Sequence, residues 1–240
     1  MTTFADELEA RLRAIGTRQR AEHEKRYLKS DLTFLGATVW QIRAAVKELT
    51  PHMAHDALVA EVERLWAQPV HERRMAAVSL LERFAGILDV GDLPLIERLV
   101  RESRTWALVD ELAGAVLGSL VERDPRALTP EMDRWATDAD FWVRRASLLA
   151  ELRPIRRGAE LDRFVARAEP MLEEREFFIR KAIGWILREA GKQRPDEVAA
   201  WLAPRTHRTS GVTMREAVKH LPPEDADRLM AAYRERRPAG

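Results

Sequence analysis

Apolar residues recur along this chain at three- and four-residue spacing and hardly anywhere in alternation, the pattern of amphipathic helices that bury one face. Phe4, Leu8, Leu12 and Ile15 lay out a first helix, and Trp40, Ile42, Val46 and Leu49 begin another after a turn at Gly36. Leu58, Val62, Leu65 and Trp66 predict a helix that stops before Pro69, and Met75, Val78, Leu81 and Phe84 mark one over 71–87. From there helices are expected in pairs: 93–102 with 106–122, 130–137 with 141–152, 161–172 with 177–190, and 197–202 with 213–221. A capping helix over 225–234 follows, and Asp124-Pro125, Thr129-Pro130 and Gly191 read as joints.

The same kind of helix start returns near residues 74, 110, 145, 181 and 215. Tandem helix pairs at this spacing predict an all-α superhelical solenoid, since each pair is too small to bury its own apolar face and must share a core with its neighbours. A single domain over 1–240 is expected, with N-terminal helices in 1–36, repeats in 37–221, and a capping helix and tail in 222–240. Four of the five starts carry a basic residue: Arg74, Arg145, Lys181 and Arg215. The second carries Asp110 instead, one helical turn after Trp106 on the same face. That substitution marks the chemically distinct repeat.

Composition narrows the field. The 240 residues are 46% hydrophobic and 33% charged, with few glycines, which suits helices and argues against disorder. With no cysteine there is neither a disulfide framework nor a thiolate metal site, and a cytoplasmic location, in a reducing cytosol, is expected. The first residues are amphipathic and acidic, unlike a signal peptide, and no stretch approaches the roughly 18 apolar residues of a membrane span. The net charge of +1 is unevenly spread. Residues 1–140 hold 19 Lys/Arg against 24 Asp/Glu, and 141–220 hold 17 against 11, so a polyanion would favour the second half.

Other chemistries are missing. The six histidines form no His-Glu-x-x-His pair, and His52 and His55 read as loop residues rather than ligands. A glycine-rich phosphate loop and a Gly-x-Ser-x-Gly elbow are both lacking. What stands out is Trp106 with Asp110, and Trp185 four residues after Lys181: aromatic faces, a carboxylate and nearby cations, a set suited to a cationic, sugar-bearing ligand. Taken singly, each tryptophan is compatible with core packing and Asp110 with a carboxylate at a helix start. The basic register residues are compatible with inter-repeat hydrogen bonding or, for Arg145, with phosphate contact. The stretch Thr206–Ser210, with Arg205, His207 and Arg208, reads as a basic loop that either touches a polyanion or is a solvated joint.

Five stretches, RYLKSDLTFLG (26–36), SRTWALVDELAGAVLG (103–118), FWVRRASLLAEL (141–152), EFFIRKAIGWILRE (176–189) and MREAVKH (214–220), together resemble the AlkD-like bacterial DNA alkylation-repair glycosylases, which are HEAT-like repeat proteins. The resemblance implies excision of alkylated purines such as 3-methyladenine and 7-methylguanine, and in some relatives bulkier adducts, from double-stranded DNA. It implies hydrolysis of the N-glycosidic bond without base flipping, no cofactor and no metal. Trp106, Asp110 and Trp185 match the cleft residues, Arg145 the backbone-binding arginine, and Tyr27 an aromatic position near the same cleft. Lys181, Arg188 and Arg144 complete the set expected to touch DNA, and a monomer that does not associate with membrane is expected. The chain departs from the family at Ala107, where relatives often carry a second acid. The chemistry is coherent with one carboxylate, because an alkylated purine is already a cationic leaving group and the demand falls on the oxocarbenium-like sugar. The alternative is a noncatalytic repeat scaffold that binds DNA or protein.

Overall fold

In the computed structural model, which describes residues 3–50 and 52–235, the chain is helical throughout; the tail at 236–240 lies outside the described residues. Its contacts divide it into two compact units, Met1–Leu120 and Val121–Gly240. The first holds α1 (Phe4–Ile15), α2 (Arg18–Leu28), α3 (Val39–Leu49), α4 (His55–Trp66), α5 (His71–Arg83), α6 (Leu93–Ser103) and α7 (Trp106–Glu111). A π-helical segment, Leu112–Leu117, continues α7 into α8 (Gly118–Arg123), within which the division falls. The second unit holds α9 (Pro125–Ala136), α10 (Phe141–Leu149), α11 (Leu152–Arg156), α12 (Asp162–Ala168), α13 (Phe177–Ala190), α14 (Pro195–Leu202), α15 (Gly211–Ala217) and α16 (Pro223–Glu235).

The starts are set by local chemistry. Thr3 with Asp6 and Thr38 with Gln41 form reciprocal capping boxes, and Asp140, Glu176 and Ser210 accept from the free N–H groups of α10, α13 and α15. Three differences from the sequence reading have clear causes. Helix α2 escapes a periodicity search because Leu28 is its one buried residue. Helix α9 begins at Pro125 rather than Pro130: Asp124 caps it, Pro125 occupies the first turn where its missing N–H costs nothing, and Pro130 is carried inside. The mid-helix π segment leaves no period of its own in the sequence.

Leu8, Leu12, Ile42, Leu58, Leu65, Trp66, Leu81 and Ile96 are sealed from solvent in the first unit, and Trp135, Val143, Phe164, Ile179, Ile186 and Leu202 in the second. Between repeats the bonds are polar, and they keep the period of the sequence. Trp66 Nε1 donates to Glu102, 36 residues on, at 2.8 Å. His55 meets Asp92 at an offset of 37, Lys181 meets Glu216 at 35, and Arg194 donates to the Gly158 carbonyl at 36. The carboxylate of Glu72, 1% exposed, accepts from the backbone N–H groups of Leu35 and Gly36 at 2.9 and 2.7 Å. Gly36 itself has φ +86°, and a Cβ there would strike the Thr17 carbonyl oxygen at 2.0 Å, so that turn accepts glycine alone.

The register arginines belong to this system. Arg73 is buried on Glu9 and the carbonyls of Leu65 and Arg64, and Arg74 donates to the Glu102 carbonyl at 2.7 Å. In the second unit Glu151, wholly buried, accepts from Arg163 at 3.0–3.1 Å and from the buried Arg167 at 2.7 Å. Replacing Glu151 with Ala leaves the buried Arg167 with Asp133 and the Thr129 carbonyl alone and should cost about 3 kcal/mol in urea unfolding; a loss under 1 kcal/mol would mean that these remaining partners suffice.

His71 adds a pH dependence. Its ring stacks on Phe34 at 4.7 Å, its Nδ1 has no partner, and burial pushes its pKa down to about 4 from 6.5. The folded chain therefore refuses a proton that the unfolded chain accepts, so this contribution to stability is complete above about 6.5 and is lost as pH falls toward 4. His71→Phe should remove that component from a plot of unfolding free energy against pH.

Candidate functional site

The expected site residues fall into two groups, one in each unit. In the first, α7 presents Trp106 and Asp110 one turn apart, both half-buried. Tyr27, from the last turn of α2 and 62% exposed, sets its ring edge-on to Trp106 with centroids 5.7 Å apart, and His23 stacks on Tyr27 from the other side of that ring pair at 6.3 Å. The structure thus brings Tyr27, Trp106 and Asp110 together at one open face. Residues Leu108, Val109, Leu112 and Ala113 turn the other way and are sealed in the core.

A part of this group was not visible in the sequence. Arg43 of α3 places one guanidinium nitrogen between Glu82 of α5, at 2.9 Å, and Glu111 of α7, at 2.8 Å. Glu111 is the residue after Asp110. Burial raises its pKa, Arg43 opposes that shift, and the charges of Glu82 and Asp110 reinforce it. One cation therefore serves two carboxylates, and Asp110 is the chain neighbour of one of them. The signal that would have found Arg43 is its distance from Glu111, 68 residues, close to two repeat periods.

In the second unit α13 carries Lys181, Trp185 and Arg188 on one face. Helix α13 can lie close against α15 because Gly184 has no side chain; a Cβ there would meet the Glu216 Cβ at 2.8 Å and the Thr213 carbonyl at 3.0 Å. That approach brings Glu216 under both cations: it accepts from Lys181 at 2.6 Å, from Lys219 at 2.9 Å and from Arg188 at 2.7 Å. Burial alone would raise the pKa of Glu216, but Lys181 and Lys219 outweigh it and hold the value near 2. Trp185 is half-buried, with the Arg156 guanidinium 6.0 Å over its ring and an indole N–H that has no acceptor.

Arg144 and Arg145 are both engaged within the unit. Arg144 makes a two-pronged pair with Glu174, at 3.0 and 2.9 Å, and donates to the Asp138 carbonyl. Arg145, 3% exposed, donates to the Phe178 carbonyl and lies 5.7 Å over the Phe178 ring. The inter-repeat bonding weighed for it in the sequence is therefore what the structure displays. Phe141, Trp142, Phe177 and Phe178 gather at the starts of α10 and α13, with Phe177 52% exposed. The stretch Thr206–Ser210 is also tied down: Arg205 and Arg208 pair with Glu169, Arg208 pairs with Glu173 at 2.6 Å, and Thr206 and Thr209 are buried. Among the described residues no group of His, Asp and Glu could hold a metal ion, and no helix is long and apolar enough to cross a membrane.

Comparison with known proteins decides the family. The sequence pattern of the family described as DNA alkylation repair enzyme matches residues 8–221. The chain belongs to that family. Its fold is similar to that of a predicted DNA alkylation repair enzyme from Enterococcus faecalis, with a TM-score of 0.78 and 23% identity over 87% of this chain and 97% of that one. It is also similar to AlkD2 from Streptococcus mutans, with a TM-score of 0.63 and 18% identity over 84% of this chain and 99% of the other. At such identities the likeness shows the shared all-α helical-repeat fold. No curated protein sequence matches the chain.

Family membership gives the tethered cations of α13 a direct test. Glu216→Gln removes the carboxylate that occupies Lys181 and Arg188, so DNA binding should tighten and its salt dependence should steepen by about 0.9 in the log–log slope, one phosphate's worth. Unchanged binding would place these cations outside the DNA interface.

Proposed function

We propose that the chain is a monofunctional DNA glycosylase that releases alkylated purines, 3-methyladenine and 7-methylguanine among them, by hydrolysis of the N-glycosidic bond. The observation that carries this reading is the face of α7, where Asp110 and Trp106 stand one turn apart with Tyr27 against the indole and with Glu111 and Glu82 sharing a single arginine. Such a face suits a ligand that is cationic before reaction and in the transition state.

An N-alkylated purine departs as a neutral base, so no acid is required to protonate it. As the bond to C1′ lengthens, positive charge moves onto the sugar ring. Asp110 stabilises that charge and orients a water toward C1′, while the π-face of Trp106 offers further electrostatic support to the deoxyribose. In this reading catalytic contact is made to the sugar, and the base stays in the stack. Lys181, Arg188 and Arg144 serve the phosphates by exchanging their carboxylate partners, and Arg145 serves from inside by holding the first turn of α13. No metal or cofactor enters the scheme.

Asp110→Asn preserves shape and removes the charge. In duplex DNA alkylated at guanine or adenine, release of the modified base should fall by about two to three orders of magnitude, with binding to the same DNA little changed. Release at the wild-type rate would remove Asp110 from the mechanism. No release by the wild-type protein from any alkylated duplex would leave a binding scaffold.

A further inference from the structure

Two basic residues of the first unit occupy backbone positions that oppose them. Lys29 closes α2 and Arg104 closes α6, each with φ 48°, in the left-handed region where glycine or asparagine is the usual occupant. The favourable field at a helix C-terminus explains a basic residue somewhere in the last turn. It does not explain why both strained caps lead into the same place. Ser30, Asp31, Arg74, Glu102 and Arg104 line a cavity of about 290 Å³. Tyr27 lies two residues before Lys29 and Trp106 two after Arg104, so no more than about 7 Å of chain separates each strained cap from the aromatic pair.

The polar groups at this cavity are short of an acceptor. Arg74 spends one nitrogen on the Glu102 carbonyl, while its Nε is buried with no partner. Burial depresses the pKa of its guanidinium, the charge of Glu102 opposes that shift, and the like charge of Arg104 adds to it. Thr105, next to Arg104 and 2% exposed, has a hydroxyl with no partner. Two guanidiniums on one cavity, one of them with a buried N–H left unanswered, form a set of donors suited to an oxyanion. The carboxylates limit which anion fits. Glu102 is turned to Trp66 Nε1 at 2.8 Å and to Arg98 at 3.5 Å, whereas Asp31 is exposed. Asp31 and Glu102 balance the two guanidiniums that line the cavity, so a phosphodiester monoanion is admitted more readily than a phosphate dianion.

We propose that this cavity is a phosphodiester subsite, in which Arg74 and Arg104 hold one oxyanion of a DNA strand beside the Tyr27–Trp106 pair. The proposal rests on the DNA reading given above and names a contact that it does not contain. The backbone strain at Arg104 is then the condition for aiming its side chain into the cavity.

Arg104→Gly removes the guanidinium and suits the left-handed backbone better than arginine, so the fold is kept. Binding of the protein to undamaged duplex should show a slope of log Kobs against log salt shallower by about 0.9 than wild type. Asp31→Asn should tighten binding. An unchanged slope in Arg104→Gly, or a wild-type protein with no affinity for duplex, overturns the subsite. Inorganic phosphate titrated into the protein, followed at the backbone N–H signals of Arg104 and Thr105, separates the sources: saturating shifts that DNA does not displace would assign the cavity to a free anion and overturn the proposal. Base release is measured alongside. Release by wild type with an unchanged Arg104→Gly slope keeps the glycosylase and removes the subsite; a reduced slope in a protein that releases no base does the reverse.

Discussion

The structure depends on one recurring constraint: a short helix that cannot bury its own face must also satisfy its polar ends on the next repeat. The buried arginines do this. Arg73, Arg145 and Arg167 are almost wholly removed from water, and each is answered by carboxylates or by backbone carbonyls of neighbouring helices. A buried guanidinium is tolerated only with such partners, so these bonds select one register of stacking more than they add net stability. The apolar core would accept some sliding of one helix over another. The arginines would not.

The same constraint explains what was legible in the sequence. Helix α13 was read residue for residue, because its apolar period, its capping Glu176 and the closing Gly191 agree with one another. Trp106 and Asp110 were legible because neighbours on one helix face need no knowledge of the fold. Arg43 was not, since its meeting with Glu111 depends on how two intervening repeats stack. Nor was the fate of the basic charge in residues 141–220. Counting residues showed an excess of cations, but Arg144, Arg156, Lys181, Arg188, Arg205 and Arg208 are each already paired inside the unit. Net charge is a property of composition; available charge is a property of packing.

The departure at Ala107 also looks different beside the structure. That position is small and half-exposed, while Glu111, one turn later on the same helix, supplies a carboxylate that Arg43 holds in place. The α7 face is therefore acidic through a residue that is anchored from α3. The π segment begins immediately after it, so the helix that presents Trp106 and Asp110 changes its winding directly beyond the open face.

The spacing of the polar bonds has a consequence for how the chain reaches this structure. Many of the ties between repeats close a loop of 33 to 39 residues, as those of Arg145 and Arg208 do, and the longer ones of Arg43 and Arg73 close 68 and 64. The single-period ties do not require distant parts of the chain to find each other first, so most of the entropy of loop closure is met in small, similar steps. Order can begin at any repeat whose neighbour is present and spread by one period at a time, and it can be lost the same way, from an end, while the remaining repeats keep their partners.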